Sequence, residues 1–232
     1  MKRVLLKLSG EALSRGSGEI YDNGFVDSVA ASLKACVDEG YQVAVVVGAG
    51  NIWRGRQGGE MDRTLADRMG MLATVINSIC LKDALERAGA EAVVMSAVPM
   101  SPFAEGYSAE RAVEYLECGR VVILGGGLGI PFLSTDTAGA VRAKEIGADA
   151  MLMAKNIDYI YTADPRKDPT AERIESIGAS RMLAMNLTAI DATATAFCLA
   201  NKMEIRVFGL KEPSDILNAV RGKSVGTVVI PE

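Results

Sequence analysis

Short apolar runs alternate with longer stretches of helical periodicity along the whole chain. Residues 3–7 (RVLLK) are apolar and end in a turn, which predicts a buried strand. Residues 42–47 (QVAVVV), 92–96, 120–124 (RVVIL), 150–153, 205–208 and 227–230 read the same way. Between them fall the predicted helices. In residues 25–39, Phe25, Val29, Leu33 and Val37 recur at four-residue spacing, and Gly40 supplies a stop. Further helices are predicted over 62–88, 108–117, 135–146, 189–201 and 214–221. Residues 9–24, 48–59 and 125–131 read as glycine-rich loops, and 156–170, with its Asp and Pro residues, as irregular. Strands alternating with helices predict a mostly parallel sheet, and near-continuous apolar strands require cover on both sheet faces. The expected class is therefore α/β: a three-layer α/β/α sandwich around a mostly parallel sheet.

Three predicted strands run straight into small-residue turns: Lys7-Leu8-Ser9-Gly10, Gly48-Ala49-Gly50-Asn51 and Gly125-Gly126-Gly127-Leu128-Gly129. Ligands of open α/β sheets bind beyond the C-terminal strand ends. Glycine lets the backbone approach a ligand and aim successive N–H groups at an anion. Three such turns at one sheet edge describe a cradle for several phosphates, with Lys7, Arg54 and Arg68 adding full charges. Taken singly, each turn is also an ordinary βα connection. The phosphate fingerprint GxxxxGK[ST] is absent, because Gly222-Lys223-Ser224 lacks the glycine five residues earlier, and GxGxxG is absent too.

Composition narrows the chemistry. At 232 residues the chain fits one domain spanning 1–232. Aromatic residues are only 5%, so the core falls to Val, Ile, Leu, Ala and Met. A net charge of -4 offers no broad basic field for nucleic acid. The four cysteines, Cys36, Cys80, Cys118 and Cys198, form no CxxC pair, and no secretory signal pattern opens the sequence. Reduced thiols and a cytoplasmic location are expected. No apolar run reaches the roughly 18 residues of a membrane span. There is no histidine, which excludes Ser-His-Asp and Cys-His catalysis and imidazole-bound zinc. Any chemistry rests on Lys, Arg, Asp and backbone amides.

Several longer motifs resemble one family. Lys7-Leu8-Ser9-Gly10-Glu11-Ala12-Leu13 is similar to the KLSGEAL opening of the bacterial uridylate (UMP) kinases, within the amino-acid-kinase superfamily. Gly48 to Gly55 (GAGNIWRG) resembles their GGGN-x-x-RG turn, and Ala66 to Val75 (ADRMGMLATV) their D-x-MGMLATV helix. Pro131 to Ala138 (PFLSTDTA) resembles PFFTTDTA, and Tyr161 to Pro169 (YTADPRKDP), Ile190-Asp191 and Ile205 to Phe208 also match, in order along the chain.

The resemblance implies the amino-acid-kinase fold, with an acceptor-side lobe at about 1–134 and an ATP-side lobe at about 135–232. It implies Mg²⁺-dependent transfer of the ATP γ-phosphoryl group to UMP in pyrimidine nucleotide biosynthesis. It also implies a homohexamer, activation by GTP and inhibition by UTP. By the same resemblance Lys7 and Asp136 are catalytic, and Lys7, Leu8, Ser9, Gly10, Gly50, Arg54, Tyr161 and Asp164 bind ATP. UMP falls to Ala49, Arg54, Asp67, Leu128, Gly129, Ile130, Pro131, Phe132, Leu133, Ser134 and Thr135. No protein-ligated metal is expected, since Mg²⁺ is held by phosphate oxygens and water.

The match departs at Leu128 and Ile130, where the family carries Thr and Asn. Ala49 replaces a glycine, Tyr159 another, and residues 16–25 differ from the usual GxxGFG-type segment. The departures at 128 and 130 remove two side-chain hydrogen-bond partners from the acceptor side. Two other readings therefore stand beside the first: an amino-acid-kinase enzyme with a different acceptor, and a non-catalytic nucleotide- or oxyanion-binding assembly protein. Thr135 and Asp136 also read as helix N-caps, Asp164-Pro165 as a turn, Asp191 as a plain N-cap outside the site, and Met69 and Met71 as core.

Overall fold

Every predicted strand forms, and the sheet they build is wider than the sequence pattern alone predicts. A computed structural model describes residues 2–16, 18–223 and 225–232. In chain order the first half contains β1 (Arg3–Leu8), α1 (Gly10–Ser14), α2 (Asn23–Asp38), β2 (Gln42–Val47), α3 (Arg63–Arg87), β3 (Ala92–Ser96), β4 (Glu105–Gly106), α4 (Ala109–Glu117) and β5 (Val121–Gly125). The second half contains α5 (Thr135–Glu145), β6 (Ala150–Lys155), β7 (Ile160–Tyr161), β8 (Arg173–Ile174), β9 (Ser176–Gly178), α6 (Ala179–Ala184), α7 (Ala192–Ala200), β10 (Ile205–Gly209), α8 (Ser214–Val220) and β11 (Thr227–Ile230).

Among the described residues the main sheet has nine strands in the order β4-β3-β5-β2-β1-β6-β10-β11-β9, and only its β10–β11 pairing is antiparallel. β7 and β8 form a separate antiparallel pair. Side chains alternate across the sheet and seed two cores. Val4, Leu6 and Leu8 of β1 pack with α2, α3 and α8, whereas Leu5 packs with α4, α5 and α7. This is the expected three-layer arrangement.

Three segments differ from expectation. The loop expected at 9–24 contains the five-residue helix α1, whose Leu13 is buried in the first core. β4 and the run β7, β8, β9, α6 are too short or too polar to show a period. Met69, expected in the core, is exposed on α3, whose apolar residues occupy two sides of the helix. Among the described residues no helix is long and apolar enough to cross a membrane. Cys36 and Cys198 are buried, and burial pushes each thiol up to about 12, as inert packing groups require.

Candidate active site

β1 and β6 are parallel neighbours in the middle of the sheet, with Lys7 opposite Met153. Leu5, Met151 and Met153 face the α5 side. By strand alternation Lys7 and Lys155 face it too, at the C-terminal ends of the two strands. There Asp136, in the first turn of α5, lies between them. The Lys7 ammonium is 2.8 Å from Asp136 Oδ1, and the Lys155 ammonium donates to Asp136 Oδ2 at 2.6 Å. All three side chains are largely buried.

The helix is delivered to this point by its own sequence. Gly139, one turn after Asp136, lies so close to the sheet that an added Cβ would sit 2.5 Å from Met151 Cε. Ser134 caps α5 by accepting from the N–H groups of Asp136 and Thr137, so the cap is Ser134 rather than Thr135 or Asp136. Asp191 stands behind the cap. It accepts from the Ser134 hydroxyl, from Thr137 Oγ1 at 3.1 Å and from the Ala194 N–H at 2.8 Å. Asp191 is thus the N-cap of α7, as read, and a brace for α5 as well.

Burial alone would raise the Asp136 carboxyl. The charges of Lys7 and Lys155 outweigh burial, so the group lies below its ordinary range. Burial and the Lys7 charge push the Lys155 ammonium down, against the pull of Asp136.

The first two glycine turns meet beside this cluster. An added Cβ on Gly10 would lie 2.5 Å from the Gly48 carbonyl oxygen and 2.8 Å from the Gly50 nitrogen. Only hydrogen fits there, which gives Gly10 its reason. The second turn is fixed from below by Asn77, fully buried on α3. Its amide donates to the Gly48 carbonyl at 2.7 Å and to Asn51 Oδ1 at 2.8 Å, and it accepts from the Tyr21 hydroxyl at 2.9 Å. At the rim Arg54 is paired with Glu11 of α1, and Gly50 packs against both side chains.

The third turn builds the other wall. Gly126, Gly127 and Gly129 all have positive φ, and the Gly126 N–H donates to Thr74 Oγ1 at 2.8 Å. Asp67 ties this wall to α3: it accepts from the Phe132 N–H and from Arg63 Nε, both at 2.9 Å. Gly55 packs directly on the same carboxylate. Phe132 sits in the left-handed region at φ 70 and is 66% exposed, and Ile130 is 57% exposed. Leu133 is exposed as well, and Leu128 is half-buried.

The structure therefore gathers Lys7, Leu8, Ser9, Gly10, Ala49, Gly50, Arg54 and Asp136 around the meeting of the first two turns. Asp67, Gly129, Pro131, Ser134 and Thr135 follow along the second wall. Tyr161 lies on β7 and Asp164 beyond it. Their hydrogen bonds are local, Tyr161 to Asp158 Oδ1 and Asp164 from the Arg166 N–H. Tyr159 lies near Arg173, and Arg68 is exposed on α3. The residues missed by sequence reasoning are Lys155, Asn77, Tyr21 and Glu11. A lysine closing an apolar run reads as the end of a strand, and only the register with β1 reveals Lys155.

A hollow of about 660 Å³ runs along β9, lined by Glu172, Arg173, Glu175, Arg181 and Glu232 among others. It contains none of the clustered residues and mixes both charges, so the lysine cluster is the stronger candidate. Among the described residues no group of three or more Asp, Glu, His or Cys is placed to hold a metal.

Residues 2–209 match the amino acid kinase family. The chain is similar to the solved UMP kinase of Bacillus anthracis, with 35% identity and a TM-score of 0.95 over 100% of this chain and 96% of that one. It is similar to the UMP kinase of Ureaplasma parvum, with 34% identity and a TM-score of 0.93 over 99% and 98%. The uridylate kinase of Archaeoglobus fulgidus follows at 28% identity and a TM-score of 0.75, over 99% and 100%. The chain belongs to the amino acid kinase family.

Proposed function

We propose that this protein is a UMP kinase, transferring the γ-phosphoryl group of Mg·ATP to the phosphate of UMP. The observation that carries the reading is the Lys7–Asp136 pair buried where the first two glycine turns meet, in a chain whose full length follows two solved UMP kinases. Phosphoryl transfer breaks the bond from the γ-phosphorus to the ADP oxygen and forms one to an acceptor phosphate oxygen. ADP leaves with the electron pair. An anionic phosphate acceptor needs no deprotonation, which suits a chain without histidine. What the protein supplies is alignment and neutralised oxygen charge.

Lys7 holds the transferring oxygens, and Asp136 holds Lys7. The backbone of Ser9, Gly10 and Gly50 lines the same path. Arg54, once exchanged from Glu11, meets the acceptor phosphate, and Asp67 the sugar side. Tyr161 and Asp164 serve the adenosine end. The magnesium enters with the nucleotide as part of the substrate: Asp136, the buried carboxylate nearest the path, is already taken by two lysines.

The same reading includes self-association, as in a homohexamer. Leu65, Met69, Leu72, Ile76 and Ile79 are all exposed on α3 at alternating four- and three-residue spacing, forming one apolar stripe. Such a stripe fits a partner helix of like kind. Leu72→Glu with Ile76→Glu is expected to lower the sedimentation mass, whereas an unchanged mass places the contact elsewhere.

The test of function is ADP release from Mg·ATP with UMP, CMP, dUMP, AMP, GMP, aspartate, N-acetylglutamate or no acceptor. Selective turnover with UMP is expected. Turnover with another acceptor alone would keep the family and move the substrate. ATP binding without turnover would replace the kinase by a binding protein.

A further inference from the structure

We propose that Asn77 is a positioning residue for the transfer: through its pairing with Asn51 it aims the backbone N–H groups of the second glycine turn at the transferring phosphoryl group. The inference rests on the phosphotransfer reading above and adds to it a residue of α3 that touches no reacting atom.

A side-chain amide carries two N–H donors and two acceptor lone pairs. Asn77 uses all four. It donates to the Gly48 carbonyl at 2.7 Å and to Asn51 Oδ1 at 2.8 Å. It accepts from the Tyr21 hydroxyl at 2.9 Å and from Asn51 Nδ2 at 3.2 Å. The two amides thus pair head to tail, each donating to the other. Asn51 Nδ2 also donates to the Ile20 carbonyl at 2.9 Å. A Cβ on Gly10 would lie 2.5 Å from Asn51 Oδ1, so the pair abuts the first turn as well. It therefore joins α3, both turns and the chain at 20–21. A carboxylate at 77 could not donate to Gly48. A leucine there would leave the Gly48 carbonyl without that donor, at a site that is fully buried.

The pairing decides which way the second turn faces. Asn77 takes the Gly48 carbonyl, and the Leu8 carbonyl takes the Gly48 N–H at 2.9 Å. The Ala49 carbonyl accepts from the N–H groups of Ile52 and Trp53, at 2.9 and 2.8 Å. Among the described residues the N–H groups of Ala49, Gly50 and Asn51 make no hydrogen bond. Successive backbone N–H groups left to point outward form a concavity for an anion. Asn77 is fully buried beneath them, so its effect on a ligand passes through the turn.

The test compares wild type, Asn77→Ser and Leu81→Ala. Leu81 is buried in the first core four residues further along α3 and serves as a control for lost stability alone. One readout is calorimetric binding of Mg·β,γ-imido-ATP against Mg·ADP, which needs no turnover. The other is kcat and KM with UMP, measured where denaturant curves show each variant folded. Asn77→Ser is expected to lose about fivefold or more in affinity for the imido analogue, while ADP affinity stays within about threefold. Its kcat should fall about 10- to 100-fold with little change in the KM for UMP. Leu81→Ala should lose stability and keep both the analogue preference and a kcat within about threefold of wild type. If Asn77→Ser keeps the analogue preference, or its kcat falls no further than that of Leu81→Ala, Asn77 is structural only and the proposal is overturned. If wild type phosphorylates nothing while Asn77→Ser still loses the preference, the kinase reading fails and the positioning of the turn stands. Should Asn77→Ser fail to fold, Asn51→Ala, which breaks the pair from the turn itself, carries the same readouts.

Discussion

The two ends of the candidate site are built in opposite ways. The phosphate end is charged and buried, and it hangs on the ends of two adjacent central strands through Lys7 and Lys155. The acceptor wall is apolar and exposed, and it hangs on a glycine-rich loop with Phe132 in a left-handed conformation. Strand ends in a packed sheet cannot shift without disturbing the core, whereas a loop tolerates exchange of its side chains. The contrast teaches where generic and selective chemistry reside. On the proposed function, transfer is expected to be set by the rigid end, and choice of acceptor by the wall that carries Leu128 and Ile130.

The largest effect should come from the rigid end. Lys7→Ala is expected to lower kcat by about 10³-fold, by loss of a preorganised cation, with a far smaller change in the KM for UMP. If the KM changes most, the two ends are not divided as described. Asp136→Ala should act on stability. It leaves two buried ammoniums without their counter-charge, a change that typically costs about 3–5 kcal/mol. Denaturant unfolding measures it, and a loss below about 1 kcal/mol would mean that the pair is solvated in solution.

The pH dependence follows from the same carboxylate. Its folded pKa lies below the unfolded value of about 3.9, so the unfolded chain binds more protons in acid. Its stabilising contribution is therefore full above that value and is lost as pH falls through the folded pKa. Asp136→Asn should flatten the unfolding free energy in that acid window relative to wild type. An identical slope for both proteins would remove Asp136 as a source of acid sensitivity.

Gly10→Ala ranks next, since a Cβ there meets the backbone of the second turn. A loss of about 1–3 kcal/mol is expected from overpacking, together with weaker ATP binding. Unchanged stability would show that the two turns separate easily. The smallest effect belongs to the acceptor wall. Leu128→Thr with Ile130→Asn adds two side-chain hydrogen-bonding groups, each worth about 0.5–1.5 kcal/mol. The KM for UMP should fall severalfold with kcat little changed. A rise in KM would mean that the apolar wall is itself complementary to the acceptor.

How much of this was legible follows the same divide. The strands were readable because both of their faces are buried, which leaves an apolar run in the sequence. Lys7 was readable because it precedes a glycine turn. Lys155 was not, because its meaning lies in the register of β6 against β1, which no local pattern records. Asp191 showed as a cap, but its hold on Ser134 and Thr137 spans more than fifty residues of sequence. Met69 misled for a related reason: α3 is apolar on two sides, and periodicity does not say which one the sheet covers. Short elements such as α1 and β9 are imposed by tertiary contacts and carry too few residues to show a period.

The proposed function holds that the buried Lys7–Asp136 pair at the strand ends serves transfer of a phosphoryl group onto UMP. Phosphorus-31 NMR of Mg·ATP, UMP and a catalytic amount of the protein tests it most directly. The account predicts that UDP and ADP appear in equal amounts and that Lys7→Ala abolishes both. ADP appearing with inorganic phosphate and no UDP, or no change while ATP remains bound, would contradict it.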